Sequence, residues 1–121
     1  MNIHESMEDY LETILILSEK GKVRSIDVVT YTGFSKPSVS IAMKKLKEKG
    51  YIEADEPKYL ILTEEGKEIA SKIYERHKVL CEVLIRLGVS PEIAKEDACK
   101  IEHELSEETF EAIKAHMHIS K

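Results

Sequence analysis

Cysteine is scarce in this chain. Two thiols, Cys81 and Cys99, among 121 residues cannot build the disulfide framework of a small secreted domain, so they are expected to be buried thiols or ligands in a reducing compartment. No uninterrupted apolar segment approaches the roughly 18 residues that span a bilayer. The N-terminus has no apolar run preceded by basic residues, so no secretory signal is expected. Internal repeats, low-complexity tracts and long linkers are also missing. Nor is there an excess of positive charge: 18 lysines and arginines against 23 aspartates and glutamates give −5, with 42% hydrophobic and 34% charged residues. The expectation is a soluble, cytoplasmic chain of one ordinary domain or two small helical lobes.

The charge is unevenly placed. Residues 20–50 hold Lys20, Lys22, Arg24, Lys36, Lys44, Lys45, Lys47 and Lys49 against Asp27 and Glu48, a local net charge of +6 that leaves −11 on the remainder. A basic patch on an acidic body suits a DNA-binding protein whose affinity depends on neutralising the acidic part. A solvated lysine face is the plain alternative.

Periodicity places the elements. Ser6-Met7-Glu8-Asp9 can cap a first helix with the stripe Met7, Tyr10, Leu11, Ile14 and Leu17, stopping near Gly21. A second helix runs from Ser25 through Ile26, Val28, Val29 and Tyr31 to Gly33. A third is capped by Ser35, has Pro37 in its first turn, and buries Val39, Ala42, Met43 and Leu46 before Lys49-Gly50. Only Gly33-Phe34-Ser35 separates the two, the spacing of a helix-turn-helix. Tyr51–Ala54 and Tyr59–Leu62, flanking Asp55-Glu56-Pro57-Lys58, read as a β-hairpin or wing. Thr63-Glu64-Glu65-Gly66 opens a long helix with Ile69, Ile73, His77, Leu80, Cys81, Leu84 and Leu87 facing inward. Ser90-Pro91 starts another, carrying Ile93, Ala94, Ala98, Ile101 and Leu105, and Ser106 caps a last one with Phe110, Ile113 and Met117. The fold class expected is mainly α: a winged helix-turn-helix over residues 1–70 and a helical lobe over 71–121.

In a helix-turn-helix the second helix enters the major groove. The candidate DNA contacts are therefore Ser35, Lys36, Pro37, Ser38, Ser40, Ile41, Lys44 and Lys45, with Lys58 on the wing. Lysines and hydroxyls suit phosphates, while Pro37 and Ile41 suit thymine methyls. This helix offers no arginine, asparagine or glutamine for bidentate base contact, so shape and apolar contact are expected to set specificity. Winged helices also bind proteins, and the pattern alone leaves that reading open.

A second constellation spans three helices: Asp9 with Glu12, His77, and Cys99 with Glu102 and His103. Carboxylate, imidazole and thiolate can share a divalent transition metal. On a helix Cys99 lies on the face of Glu102 and His103, and Asp9 is one turn from Glu12. Singly, each has an ordinary role: Asp9 in a capping box with Ser6, Glu12 on the surface, His77 as a satisfied core histidine, Cys99 as a small buried side chain. Together those roles are harder to sustain, because the core would bury several polar groups. His4, His116 and His118 near the termini are read as solvated.

Ser6–Glu12, Ser35–Ser40, Leu62–Gly66, Arg76-His77 and Asp97–Ser106 resemble, in order, landmarks of the metal-dependent repressors of the diphtheria-toxin-repressor and manganese-transport-regulator type. The resemblance covers nearly the whole chain and is most specific in the last segment. It implies a DNA-binding winged helix followed by a metal-binding and dimerisation lobe, with Mn(II) or Fe(II) as corepressor. Asp9, Glu12, His77, Glu102 and His103 match liganding positions of the manganese branch. Cys99 departs from it: that branch has a carboxylate there, the iron branch a cysteine, and the iron branch usually has methionine where this chain has Asp9. Hard oxygen ligands favour Mn(II), whereas a thiolate favours Fe(II), Co(II) and Zn(II); two further oxygens against one sulfur point to manganese. The iron branch's ancillary site needs a carboxylate where this chain has Cys81, so it is not carried over. At 121 residues the chain is expected to stop before the SH3-like domain of many iron-branch members.

The expected function is a homodimeric repressor that binds palindromic double-stranded operator DNA when loaded with metal and controls metal uptake genes, with neither a membrane nor a small-molecule substrate as partner. Two other classes stay open: a redox-sensing regulator using Cys81 and Cys99, and a di-metal helical enzyme, for which the sequence lacks the two Glu-x-x-His pairs.

Overall fold

The computed structural model describes residues 7–55 and 58–119. Ser6 as a helix cap, His4, the hairpin residues Glu56 and Pro57 and the side chain of His118 lie outside them. The chain divides into two compact units, the first ending at Lys72 and the second beginning at Ile73.

The first unit orders α1 (Met7–Ser18), α2 (Ser25–Thr32), α3 (Lys36–Glu48), β1 (Ile52–Asp55), β2 (Tyr59–Leu62) and the opening turns of α4 (Glu64–Arg86). Local chemistry sets the helix ends. The Asp27 carboxylate accepts the Arg24 N–H at 2.8 Å at the start of α2. The Ser35 hydroxyl accepts the Ser38 N–H at 3.2 Å at the start of α3, where Pro37 occupies the first turn. Between them Gly33 takes the left-handed conformation (φ 77°) and donates to the Val29 carbonyl, a turn that a Cβ would disfavour. The reversal seats Phe34 edge-on against Tyr10, with ring centroids 5.5 Å apart.

Tyr10, Leu11, Ile14, Val23, Val28, Val39, Met43, Leu46, Ile52, Leu60 and Ala70 form the core of this unit. Val39, Met43 and Leu46 repeat at helical spacing, and each buried side chain of this size contributes about 1.5–3 kcal/mol. The strands pair antiparallel with Ile52 opposite Leu62 and Asp55 opposite Tyr59. Val23 adds an isolated antiparallel bridge on the other side of β2, accepting the Leu60 N–H at 2.7 Å.

Thr63 joins the wing to α4. Its hydroxyl donates to the Gly50 carbonyl at 2.7 Å and accepts the Gly66 N–H at 3.1 Å. Its own N–H donates to Tyr51 O at 3.0 Å. Gly66 is buried because the Tyr51 carbonyl passes directly over it, where a Cβ would overlap that oxygen.

The second unit holds the rest of α4 with α5 (Pro91–Ile101) and α6 (Glu107–Ile119). Ser90 and Pro91 begin α5, and the Ser106 hydroxyl accepts the Thr109 N–H at 3.1 Å to begin α6. Ile73, Leu80, Ala94, Ala98, Phe110 and Met117 are buried. The small Ala94 lets α5 approach α4, leaving the Cys81 sulfur 4.0 Å from its carbonyl oxygen. Two sequence expectations fail at helix ends. Leu87, expected to face inward, is 75% exposed, because α4 ends at Arg86 and the periodicity stops with it. Leu105, expected on α5, follows a turn at residues 102–104. No described helix is long and apolar enough to cross a membrane.

Gly66→Ala is expected to lower the unfolding free energy by about 1–3 kcal/mol, the usual penalty of overpacking. Urea denaturation followed by circular dichroism checks it; an unchanged midpoint would mean that the Tyr51 contact yields without cost.

Candidate metal centre

His77 enters the second unit from α4, one turn after Ile73 and before Leu80 and Cys81. Cys99 is on the last turn of α5, Glu102 is the residue that caps this helix, and His103 is in the turn that follows. The helix thus ends sooner than the sequence suggested, yet Glu102 keeps helical backbone angles (φ −57°, ψ −28°), which holds it on the Cys99 face.

Four of the six candidate ligands come together here. His77 Nδ1 is 2.8 Å from Glu102 Oε1 and 3.8 Å from Cys99 Sγ. One donor atom each from His77, Cys99 and Glu102 falls within 4.8 Å of the others. His103 Nε2 is 3.8 Å from the other Glu102 oxygen. The Glu102 side chain is 0% exposed and that of His77 14%.

This donor set fits a divalent transition metal. Nitrogen and sulfur bound to one ion at about 2.1 and 2.3 Å with a tetrahedral angle stand about 3.6 Å apart, close to the 3.8 Å between His77 and Cys99. Carboxylate and imidazole suit Mn(II), Fe(II), Co(II) and Zn(II) alike, and the thiolate shifts preference toward the softer members. A liganding imidazole must present a lone pair on the inward nitrogen and carry its proton on the outer one. Nδ1 is the inward nitrogen. The outer Nε2 meets Cys81 Sγ at 3.6 Å, which makes Cys81 an orienting neighbour. The two thiols, neither in a disulfide, therefore face different nitrogens of one imidazole, and the ring lies between them.

Arg76, whose role the sequence did not disclose, holds this turn in place. Its guanidinium donates to the Glu102 carbonyl at 3.1 Å and the Leu105 carbonyl at 2.7 Å, and lies over the Phe110 ring at 5.2 Å. The Glu102 carbonyl caps α5 and the Leu105 carbonyl follows the turn after it, where no helical donor reaches them. A signal existed: Arg76 falls at i+3 from Ile73 and i−4 from Leu80, so an arginine occupied the buried stripe, where its charge requires acceptors.

Asp9 and Glu12 belong to the first unit. Both are on α1, one turn apart, and buried at 8% and 7% exposure. Among the DNA-contact candidates, Ser35, Lys36, Pro37, Ser40, Ile41, Lys44, Lys45 and Lys58 are exposed and Ser38 is half-buried. His116 is exposed.

Co(II) titration is expected to give thiolate-to-cobalt charge-transfer absorption that Cys99→Ser abolishes and Cys81→Ser keeps. The same band in Cys99→Ser protein would remove the thiol from the ligand set. Arg76→Ala is expected to weaken metal binding about 10- to 100-fold, as loss of an outer-shell partner does. Calorimetric titration with Mn(II) measures this, and an unchanged affinity would show that the turn holds its shape without the guanidinium.

Comparison with known proteins agrees with this geometry. The family model of the iron-dependent repressor N-terminal DNA-binding domain matches residues 2–60, and that of the iron-dependent repressor metal-binding and dimerisation domain matches residues 63–119. The transcriptional regulator MntR of Escherichia coli O6:H1 is 40% identical over 111 residues, covering 91% of this chain and 72% of its own. An uncharacterized HTH-type transcriptional regulator of Methanocaldococcus jannaschii is 35% identical over 116 residues, 93% of each chain. Among solved structures, a manganese-dependent transcriptional repressor in complex with manganese superposes with a TM-score of 0.85 at 26% identity, covering 93% of this chain and 53% of that one. The chain thus spans about half the length of that solved relative. With both family domains matched in order on a winged helix and a helical lobe, the chain belongs to the iron-dependent repressor family of metal-dependent transcriptional regulators, which are not enzymes.

Proposed function

We propose that this chain is a homodimeric repressor, with Mn(II) as its corepressor, that binds a palindromic double-stranded operator and controls genes of metal uptake. The observation that carries the reading is the convergence of His77, Cys99 and Glu102 donor atoms within 4.8 Å in a chain whose other unit exposes a lysine-lined α3. The DNA-reading part is taken as residues 1–70 and the metal-binding, dimerising part as 71–121.

In this reading His77, Cys99, Glu102 and His103 bind the ion, and Asp9 and Glu12 supply the remaining oxygens from α1. The ion supplies positive charge. Without it the carboxylates repel: at an effective dielectric of 20, two of them about 5 Å apart cost on the order of 3 kcal/mol. Asp9 and Glu12 then hold α1 in one pose when loaded, and α1 shares its core with the reading helix through Tyr10, Leu11, Ile14 and Val39. Ser35, Lys36, Ser38, Ser40, Lys44, Lys45 and Lys58 contact phosphates, while Pro37 and Ile41 face the bases. Two such helices about 34 Å apart match successive major grooves.

The manganese assignment is supported by the oxygen-rich set and by the manganese-bound relative. Fe(II) is a second reading, favoured by Cys99 Sγ at 3.8 Å from His77; Co(II) and Zn(II) are surrogates. Redox sensing through Cys81 and Cys99 has less support, since His77 stands between the thiols.

Apo protein titrated with Mn(II), Fe(II), Co(II) or Zn(II) in the presence of labelled genomic fragments tests the proposal. Mn(II) is expected to tighten operator binding by about 5- to 150-fold, the usual span of coupling between two sites. Asp9→Asn with Glu12→Gln is expected to abolish the gain. Equal affinity with and without metal would refute the corepressor role, and metal-dependent binding by Cys81→Ser/Cys99→Ser protein would exclude the redox alternative.

A further inference from the structure

The two faces of α3 divide sharply. Val39, Met43 and Leu46 are buried, whereas Ile41 is 58% exposed, alone among the large hydrophobic side chains described on this helix. Its neighbours on the helix surface at i−4, i+3 and i+4 are Pro37, Lys44 and Lys45, all exposed. A hydrophobic side chain therefore stands in the middle of a basic strip, where it contributes little to the core and where solvation would favour a polar residue.

Basic neighbours select the partner chemistry. Lys44, Lys45 and Lys36 suit a polyanion, and an apolar side chain set among them must meet whatever apolar surface that polyanion displays. Isoleucine neither donates nor accepts a hydrogen bond, so it cannot read the N7, O6, N6, N4 or O4 positions of base edges. In the major groove the apolar feature that differs between base pairs is the 5-methyl group of thymine. The serine hydroxyls on this face pair with either donor or acceptor and discriminate weakly; Ser38 in addition meets the capping Ser35 hydroxyl at 3.0 Å.

Resting on the DNA-binding reading above, we propose that Ile41 is a specificity-determining residue that recognises thymine through its 5-methyl group, with Pro37 one turn earlier completing the apolar surface. The contact is short-ranged and adds to affinity only where a methyl group meets it. Lysine contacts to phosphate supply sequence-independent binding; Ile41 decides at which base pair that binding is deepest.

The full chain with Mn(II) is used to select from a random-sequence duplex library, and the enriched duplex is resynthesised with deoxyuridine replacing thymine one position at a time. Uracil pairs as thymine does and lacks only the methyl. At one thymine per half-site the replacement is expected to weaken binding about 4-fold, the worth of one buried methyl-sized group, and about 15-fold when both half-sites are changed. Ile41→Ala should bind thymine and uracil duplexes equally, while Ile41→Val keeps a reduced preference. Thermal melts of both variants should match the parent chain, since the side chain is mostly in water.

Equal binding of thymine and uracil duplexes by the parent chain at every position would overturn the inference while leaving the repressor reading intact, as would an undiminished preference in Ile41→Ala protein. No enrichment of any duplex in Mn(II) would overturn both together, and would point to a protein partner for this face instead.

Discussion

A carboxylate cut off from water must be answered by a positive or hydrogen-bonding group, and in this protein that carboxylate is Glu102. Its side chain is 0% exposed, and transfer of a bare carboxylate to such a place costs several kcal/mol even after relaxation. His77 Nδ1 at 2.8 Å answers one oxygen and His103 approaches the other. The consequence is architectural: the residue capping α5 is tied to the middle of α4, and Cys99, one turn earlier, is brought along. The convergence of these three metal-capable groups thus follows from the burial of one carboxylate. The same oxygen that meets His77 Nδ1 lies within reach of a cation held between His77, Cys99 and Glu102.

That dual use depends on the turn after α5 staying where it is. Its carbonyls point away from the helix and require donors, and Arg76 supplies them from the residue next to His77. Adjacent positions on α4 consequently serve the two halves of one segment: Arg76 takes its backbone, His77 its side chains. The Phe110 ring beneath the guanidinium ties α6 to the same point. A single nitrogen, Nη1, donates to both carbonyls, so what a lysine would lose is the planar face that lies over the Phe110 ring.

The helix-turn-helix was legible in sequence because every local device agreed: Ser35 and Pro37 at a start, Gly33 at a stop, and Val39, Met43 and Leu46 at one spacing. The residues His77, Cys99, Glu102 and His103 were legible as metal-capable by type, and their spacing on α5 was enough to place three of them on one face. Less visible were features that depend on where helices end. Leu87 read as part of an inward stripe, but the stripe has meaning only while 3.6 residues make a turn, and α4 stops one residue earlier. Arg76 was quoted as a landmark without a function, because hydrogen bonds to backbone carbonyls 26 and 29 residues away leave no mark on local periodicity. Buried Gly66 likewise read as a helix-start residue; the reason for it lies across the wing, at the Tyr51 carbonyl.

Charge explains why the proposed repressor needs more than neutralisation to act. The chain is acidic overall at −5 while residues 20–50 hold +6, so adding cations weakens its repulsion from DNA. That effect is long-ranged, falls off over about 8 Å at physiological salt, and treats every sequence alike. It would raise binding to all DNA in proportion and leave the ratio between operator and genome unchanged. A metal-responsive repressor has to change that ratio, which demands that the loaded state fit the grooves better than the unloaded one. Exposed Ile41 makes the demand acute, because an apolar contact is lost over a displacement of about an ångström that a lysine's flexible stem and the reach of Coulomb attraction would absorb. In such a reader, affinity can survive a loose α3 but base discrimination cannot, so control of the pose of α3 is also control of which sequence is bound.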